Sequence, residues 1–277
     1  MNSQRKTCAL VIRGGVSPID RQYRSIRKQP IGIEKVNISA VRESLRKNLQ
    51  ECNPGWDFEF FLFSWDLDLE PEFKRLYDPK KSKFETNAKY RNKIWYLVLR
   101  SWINALVYDN AAFRKKIGNV KASLAQDFSG ISQSISIAKA VKLVEDEIAV
   151  ANAGYDLVAL IRPDVVLLEQ VDLDSYDPRN VTCNSFKDRQ GDFRWVFGAE
   201  YLVDFQSLPN HFMHRGVHQP HTWIRDYFDS KGLPYEMDLI QAGVGEEVLR
   251  KTRGNGIAFA ELEKFGLSES EFNRYPK

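Results

Sequence analysis

Apolar positions along this chain fall into two kinds of run. The first kind is short and nearly continuous: residues 7–12, 58–63 and 157–161 with a resumption at 165–168, while 181–186 and 193–197 read as further short strands. Continuous apolar runs suit strands covered on both faces, as in a parallel α/β sheet. The second kind repeats at helical spacing. Ile38, Val41, Leu45 and Leu49 predict a helix over residues 39–52, capped by Ser39 or Asn37 and stopped by Asn53-Pro54-Gly55. Residues 94–113, rich in Trp, Tyr, Leu and Val, predict a core helix. Ile135, Ala138, Val141, Val144, Ile148 and Ala151 predict another over 132–153, ended by Gly154. Further helices are expected near 200–208, 221–230 and 245–251. The basic segment 20–35 and the charged segment 68–93 read as loops, and Lys80-Lys81-Ser82-Lys83 as a solvated part of the latter. The opening strand–helix–strand order implies parallel strands and a Rossmann-like start. The dinucleotide fingerprint is absent, because Arg13-Gly14-Gly15-Val16-Ser17-Pro18 does not fit it.

Composition narrows the class. The chain has 277 residues and no Pro/Gly/Ser-rich linker, which favours one α/β domain over 1–277, with a nucleotide-binding half near 7–170 and an acceptor-side half near 171–277. An apolar fraction of 43% and a charged fraction of 28% are those of an ordinary soluble protein. A net charge of +3 is too small to argue for nucleic acid. No apolar stretch approaches the roughly 20 residues of a membrane span. Met1 to Lys6 leads into too short an apolar run for a secretory signal, and Cys8, Cys52 and Cys183 lack metal-like spacing. The expectation is a cytoplasmic protein with reduced thiols.

Two strand ends carry candidate chemistry. Pro163 cannot donate to a central ladder, so the strand 157–161 should stop there and deliver Arg162 and Asp164 to its carboxyl end. Ligands of such sheets bind outside those ends. Asp164 then suits a divalent metal or a ligand hydroxyl, with a plain surface Arg–Asp pair as the other reading. Arg13-Gly14-Gly15 forms a turn where backbone can approach a ligand. His211, His214, His218 and His221 mimic a helical face, but Gly216 and Pro220 oppose a continuous helix and a zinc site there. A histidine near a diphosphate or its metal, and a polar loop, both stay open. Trp95 and Trp102 read as core. Trp65, Trp195 and Trp223 lie near predicted site elements, where sugar stacking and core packing compete.

Four stretches in order resemble one family: Val11-Ile12-Arg13-Gly14-Gly15, Phe61-Leu62-Phe63-Ser64-Trp65-Asp66, Ser132-Gln133-Ser134 leading to Arg162-Pro163-Asp164, and Asp192-Phe193-Arg194-Trp195-Val196-Phe197-Gly198. They resemble GT-A type nucleotide-sugar glycosyltransferases that build surface polysaccharides in bacteria and in large algal and amoebal viruses. The resemblance implies a single GT-A-like, Rossmann-like α/β domain with a mostly parallel central sheet flanked by helices. It implies that Arg13, Gly14 and Gly15 lie along the nucleoside diphosphate, Asp66 beside the base or ribose, and Gln133 against the nucleotide sugar. Arg162 and Asp164 occupy the place of the Asp-x-Asp motif, with Arg162 replacing the first carboxylate. One carboxylate still permits Mg²⁺ or Mn²⁺, held by Asp164 with His218, which resembles loosely the family's His-Pro pair. Arg162 offers a second route, neutralising the diphosphate with its fork of donors.

Such a transfer needs the leaving diphosphate stabilised. If the anomeric centre inverts, it also needs a base for the acceptor hydroxyl. Asp192 before its strand and Glu246, in Gly245-Glu246-Glu247 at the start of the expected helix, are the two choices. The implied function is transfer of a hexosyl or pentosyl unit from a nucleoside-diphosphate sugar, UDP-linked by analogy, to a glycan acceptor. The competing readings are a catalytically inactive nucleotide-sugar-binding or scaffold protein, which Arg162 favours, and a nucleic-acid binder, which weak net charge disfavours.

Overall fold

The structure is a computed structural model, and it describes residues 5–15, 38–152, 154–186, 189–211, 227–241 and 246–248. The cap residue Asn37, the loop 20–35, Trp223, Gly245, most of the helix expected at 221–230, and three of the four histidines (His214, His218 and His221) lie outside the described residues.

Strand β1 (Lys6–Gly14) is followed by α1 (Ile38–Leu45), β2 (Trp56–Ser64), α2 (Glu70–Tyr77) and β3 (Lys81–Phe84). Three helices come next: α3 (Arg91–Tyr108), α4 (Asn110–Gly118) and α5 (Val120–Ala151). Then follow β4 (Leu157–Ile161), β5 (Val165–Leu167), β6 (Val181–Phe186), β7 (Arg189–Phe197), α6 (Leu202–His211), β8 (Tyr235–Gln241) and β9 (Glu246–Val248). Seven strands form one sheet in the order β3-β2-β1-β4-β7-β6-β8, while β5 and β9 pair separately. Within the large sheet only β7 runs antiparallel to its neighbours β4 and β6; the other contacts are parallel. The protein is therefore α/β with a mixed, mostly parallel sheet, and its first half is compatible with a Rossmann-like arrangement.

Alternation along the strands divides the core into two layers. Ala9, Val11, Phe61 and Phe63 face α3, α5 and α6. Cys8, Leu10, Ile12, Phe60 and Leu62 face α1 and α2. Both faces are covered, which is why the strands read as unbroken apolar runs.

Several expectations are corrected. The helix expected over 94–113 breaks at Asp109, whose side chain accepts from Ala112 N–H at 2.9 Å and so caps α4. The helix expected from 132 begins at Val120, where the Asn119 side chain caps it, and runs to Asn152 in the left-handed region. The expected loop 68–93 contains α2 and β3. The basic run is not a loop but an edge strand, with Lys81 paired to Glu147 at 2.9 Å and Lys80 to Glu59 at 2.8 Å. The helix expected over 245–251 is an extended strand at 246–248, because β5 offers it an open ladder and tertiary pairing overrides the local acid-rich start. Among the described residues no helix is long and apolar enough to cross a membrane.

Candidate functional site at the switch point of the sheet

From β1 the chain builds outward to β2 and β3 on one side, then returns to place β4 on the other. The strand order reverses between β1 and β4, and crevices of open α/β sheets form outside the carboxyl ends at such a point. Here Ile12 pairs with Ile161 and Gly14 with Ser64. The register therefore brings Arg13-Gly14-Gly15, Ser64-Trp65-Asp66 and Arg162-Pro163-Asp164 to one edge, from sequence positions up to 151 residues apart.

The contacts at this edge are close. Gly14 has φ +115°, which side-chain-bearing residues rarely adopt, and a methyl group on it would lie 3.8 Å from Pro163 Cδ. A methyl group on Gly15 would come within 3.3 Å of Asp66 Oδ2. Asp66 is only 6% exposed. Its N–H donates to Ser64 Oγ at 3.1 Å, and its carbonyl accepts from Leu69 N–H at 3.1 Å, fixing the turn after β2.

Arg162 and Asp164 meet each other across Pro163. Arg162 Nε and Nη2 donate to the two carboxylate oxygens at 2.9 and 2.8 Å. Asp164 is fully buried, so the carboxylate is held within the rim rather than displayed on it. Arg13 is also buried, on the α5 side of the sheet, with its guanidinium carbon 5.0 Å from the Trp195 ring centre. Trp195 itself is core, its ring tilted against Phe205 at 5.8 Å, and Trp65 packs edge-on against Phe63 at 4.8 Å. Trp195 is a core residue, and Trp65, partly buried, packs against the margin of the core.

Gln133 is placed by the direction of α5. Glu147 pairs with Lys81 at the start of β3, and Lys139 pairs with Glu85 just past its end, at 3.1 Å. The helix thus runs antiparallel to β3, and Gln133 lies about 9 Å beyond Lys139, over the carboxyl edge. Its neighbour Ser132 accepts from Asn87 Nδ2 at 3.1 Å, in the turn after β3.

Asp192 lies inside β7 rather than in a turn before it. Arg162 N–H donates to Phe193 O at 3.1 Å, so the backbone of Asp192 sits immediately past the Arg162 turn. Glu246 opens β9 and pairs with Leu167, three residues after Asp164. Both proposed bases therefore belong to strands flanking the same turn, although their side chains lie outside the described part of the structure. His218 lies outside it as well. Among the described residues no group of three or more His, Cys, Asp or Glu could hold a metal ion.

Two polar networks escaped the sequence reading. Glu85 accepts from Lys89 at 2.8 Å and Tyr90 at 2.7 Å, with Lys139 behind it. Burial pushes its carboxyl up, but the hydrogen bonds from Lys89, Tyr90 and Lys139 prevail and hold it at about 2. It was hidden in a segment read as loop; a Glu directly after a short Lys-rich edge strand is the signal that marks it. Arg194, fully buried in β7, donates to Tyr176 Oη and to Asp238 Oδ2, each at 2.7 Å. The run 193–197 read as apolar, and only tertiary pairing shows what neutralises its arginine.

Comparison of the chain with protein-family models and with curated proteins finds no match. Fold and site together define an α/β protein with polar and glycine positions gathered at the switch point of a mostly parallel sheet.

Proposed function

We propose that the protein is a GT-A type glycosyltransferase that moves a sugar from a nucleoside-diphosphate donor to a glycan acceptor. The observation that carries this reading is the Gly14-Gly15 pair at the switch point, where Gly14 takes φ +115° and a methyl group on Gly15 would lie 3.3 Å from Asp66 Oδ2. Two consecutive residues without side chains leave room for a diphosphate against backbone. Asp66 stands where a ribose or base would meet it, and Gln133 overhangs the same edge.

In this proposal Arg162, with Arg13 beneath, supplies positive charge to the departing diphosphate. Asp164 holds the Arg162 fork in one orientation through its two oxygens. Both Asp164 oxygens accept from Arg162, so a Mg²⁺ or Mn²⁺ would be held through their remaining lone pairs, with His218 as the other ligand the resemblance implies. Asp192, beside the Arg162 turn on β7, is the proposed base for an inverting transfer, and Glu246 on β9 is the alternative.

Calorimetric titration with nucleoside diphosphates and their sugars, with uridine diphosphate first by analogy, tests the donor site. A ligand present at about 100 times its dissociation constant raises stability by about 2.7 kcal/mol. No binding by any nucleoside diphosphate or its sugar, with or without Mn²⁺, removes the reading. Asp192→Asn should retain nucleotide affinity and lose about a hundredfold or more in transfer.

The locked Arg162–Asp164 pair favours a second reading, a nucleotide-sugar-binding protein without catalysis. Donor hydrolysis separates the two: an inactive binder takes up the nucleotide sugar and releases no nucleoside diphosphate.

A further inference from the structure

Helix α3 is apolar on two opposite faces. Ile94, Leu97, Val98, Ser101 and Ala105 are buried against α5 and the sheet. On the far side Tyr96, Leu99, Ile103, Leu106 and Val107 are 51, 60, 46, 54 and 61% exposed. At the helical period these five fall within about a third of the circumference. Eight of the twelve exposed large apolar side chains among the described residues lie between 96 and 120, so the exposure is concentrated rather than scattered. Scattered surface apolar residues need no explanation, but a concentrated patch marks an interaction site.

The exposed charge of this part of the chain is almost all of one sign. Between 91 and 121 six cations are exposed, Arg91, Lys93, Arg100, Arg114, Lys115 and Lys121, against the single exposed carboxylate of Asp109. That carboxylate is committed to the N-terminus of α4. Lys93 and Arg100 stand at the edge of the apolar arc itself. Arg100 Nη1 donates to Tyr96 Oη at 3.0 Å, which holds a cation against the stripe.

We propose that this face of α3 docks on an anionic lipid surface, with the helix in the plane of the headgroups. Exposed aliphatic side chains then enter the headgroup–acyl boundary while the flanking cations meet lipid phosphates. Tyr96, an apolar ring with a polar tip, suits the same depth. The helix lies on the bilayer and does not cross it, since its other face belongs to the protein core. Charge also separates this partner from a second copy of the chain. A two-fold contact through the stripe would gather Lys93 and Arg100 of both copies at one interface with no carboxylate on the face to neutralise them. The inference is independent of the transferase reading.

Sedimentation with vesicles tests it, using phosphatidylcholine alone and an equal mixture with phosphatidylglycerol. The expected result is association with the anionic vesicles that weakens as salt is raised. Lys93→Ala/Arg100→Ala should weaken it roughly thirtyfold at low salt, given the contribution of each basic residue near an anionic surface. Leu99→Ser/Ile103→Ser, at exposed positions, should abolish it while the melting temperature and near-ultraviolet dichroism stay unchanged. Absence of association with anionic vesicles overturns the proposal. So does equal association with neutral vesicles, or a stable dimer in sedimentation equilibrium that Leu99→Ser/Ile103→Ser dissociates.

Discussion

Arg162 grips Asp164 with two parallel hydrogen bonds, 2.9 and 2.8 Å long, across a single intervening proline. The pair stands at the carboxyl end of β4, beside β1, and its carboxylate is fully buried. Asp164→Asn removes the charge that balances Arg162 and leaves the guanidinium partly buried without its partner. Breaking such a pair costs about 3–5 kcal/mol, with the lower end expected because Arg162 keeps 15% of its side-chain surface in contact with solvent. Urea unfolding should show that loss. In Asp164→Asn/Arg162→Gln, which carries no uncompensated charge, a good part of it should return. In the folded variants the transfer rate should fall about a hundredfold or more. Normal turnover in folded Asp164→Asn would separate this pair from the chemistry.

Gly15 tests the approach of backbone to ligand. Alanine there sets a methyl group 3.3 Å from Asp66 Oδ2, so the carboxylate must give by a few tenths of an ångström. Gly15→Ala should weaken nucleotide binding at least about tenfold, the effect of roughly 1.4 kcal/mol. Thermal stability should change by less than about 1 kcal/mol, because the site is only partly buried and the substitution also stiffens the unfolded chain. Unaltered affinity in calorimetry would place the nucleotide elsewhere.

Glu85 gives the protein an acid-side dependence. Its folded carboxyl is held at about 2 against an ordinary 4.5. A depressed carboxyl contributes stability that is fully present above the unfolded value and disappears as pH falls through the folded one. The window is therefore from about 4.5 down to about 2, and the contribution is on the order of 2 kcal/mol once the solvent-exposed Lys89 is allowed for. Chemical unfolding of wild type and Glu85→Gln across that range should converge at its acid end. A constant difference between the two would mean that Glu85 acts through packing and not through its charge.

Lys116 and Asp127 form a hydrogen-bonded ion pair beneath α3, with side-chain exposures of 2 and 3%. Trp102 Nε1 donates to the same carboxylate at 2.8 Å. Burial pushes the Lys116 ammonium down and the Asp127 carboxyl up from their ordinary values. Lys116→Met should cost about 3–5 kcal/mol by stranding the carboxylate. Lys116→Met/Asp127→Leu should recover most of this, less about 1–3 kcal/mol for the Trp102 N–H left without an acceptor. Additive losses in denaturant titration would show that the pair is not coupled.

How much was legible in advance depends on how local each cause is. The strands β1, β2 and β4 were readable because a sheet covered on both faces demands nearly unbroken apolar runs, and the first helix because its apolar residues recur at helical spacing. The end of β4 at Ile161, just before Arg162, followed from Pro163, whose missing donor acts within its own residue. The breaks were less legible. Asp109 divides α3 from α4 by capping, an act of one side chain in a run that is otherwise helical. Lys81 and Lys83 sit in an edge strand because β2 lies beside them, not because of anything in their own sequence.

The site followed the same division. Sequence alone supplied Arg13-Gly14-Gly15, Ser64-Trp65-Asp66 and Arg162-Pro163-Asp164 as three separate strand ends. Their meeting required the order β3-β2-β1-β4, a property of the whole sheet that no single segment encodes. Tertiary structure also decided that Asp164 is buried against Arg162, that residues 246–248 pair as a strand with β5, and that the second apolar face of α3 is left to solvent. The physical reason is common to all three. Propensity and periodicity act between near neighbours in the chain. Burial, pairing and charge compensation are settled by whichever distant segment the folded chain brings alongside.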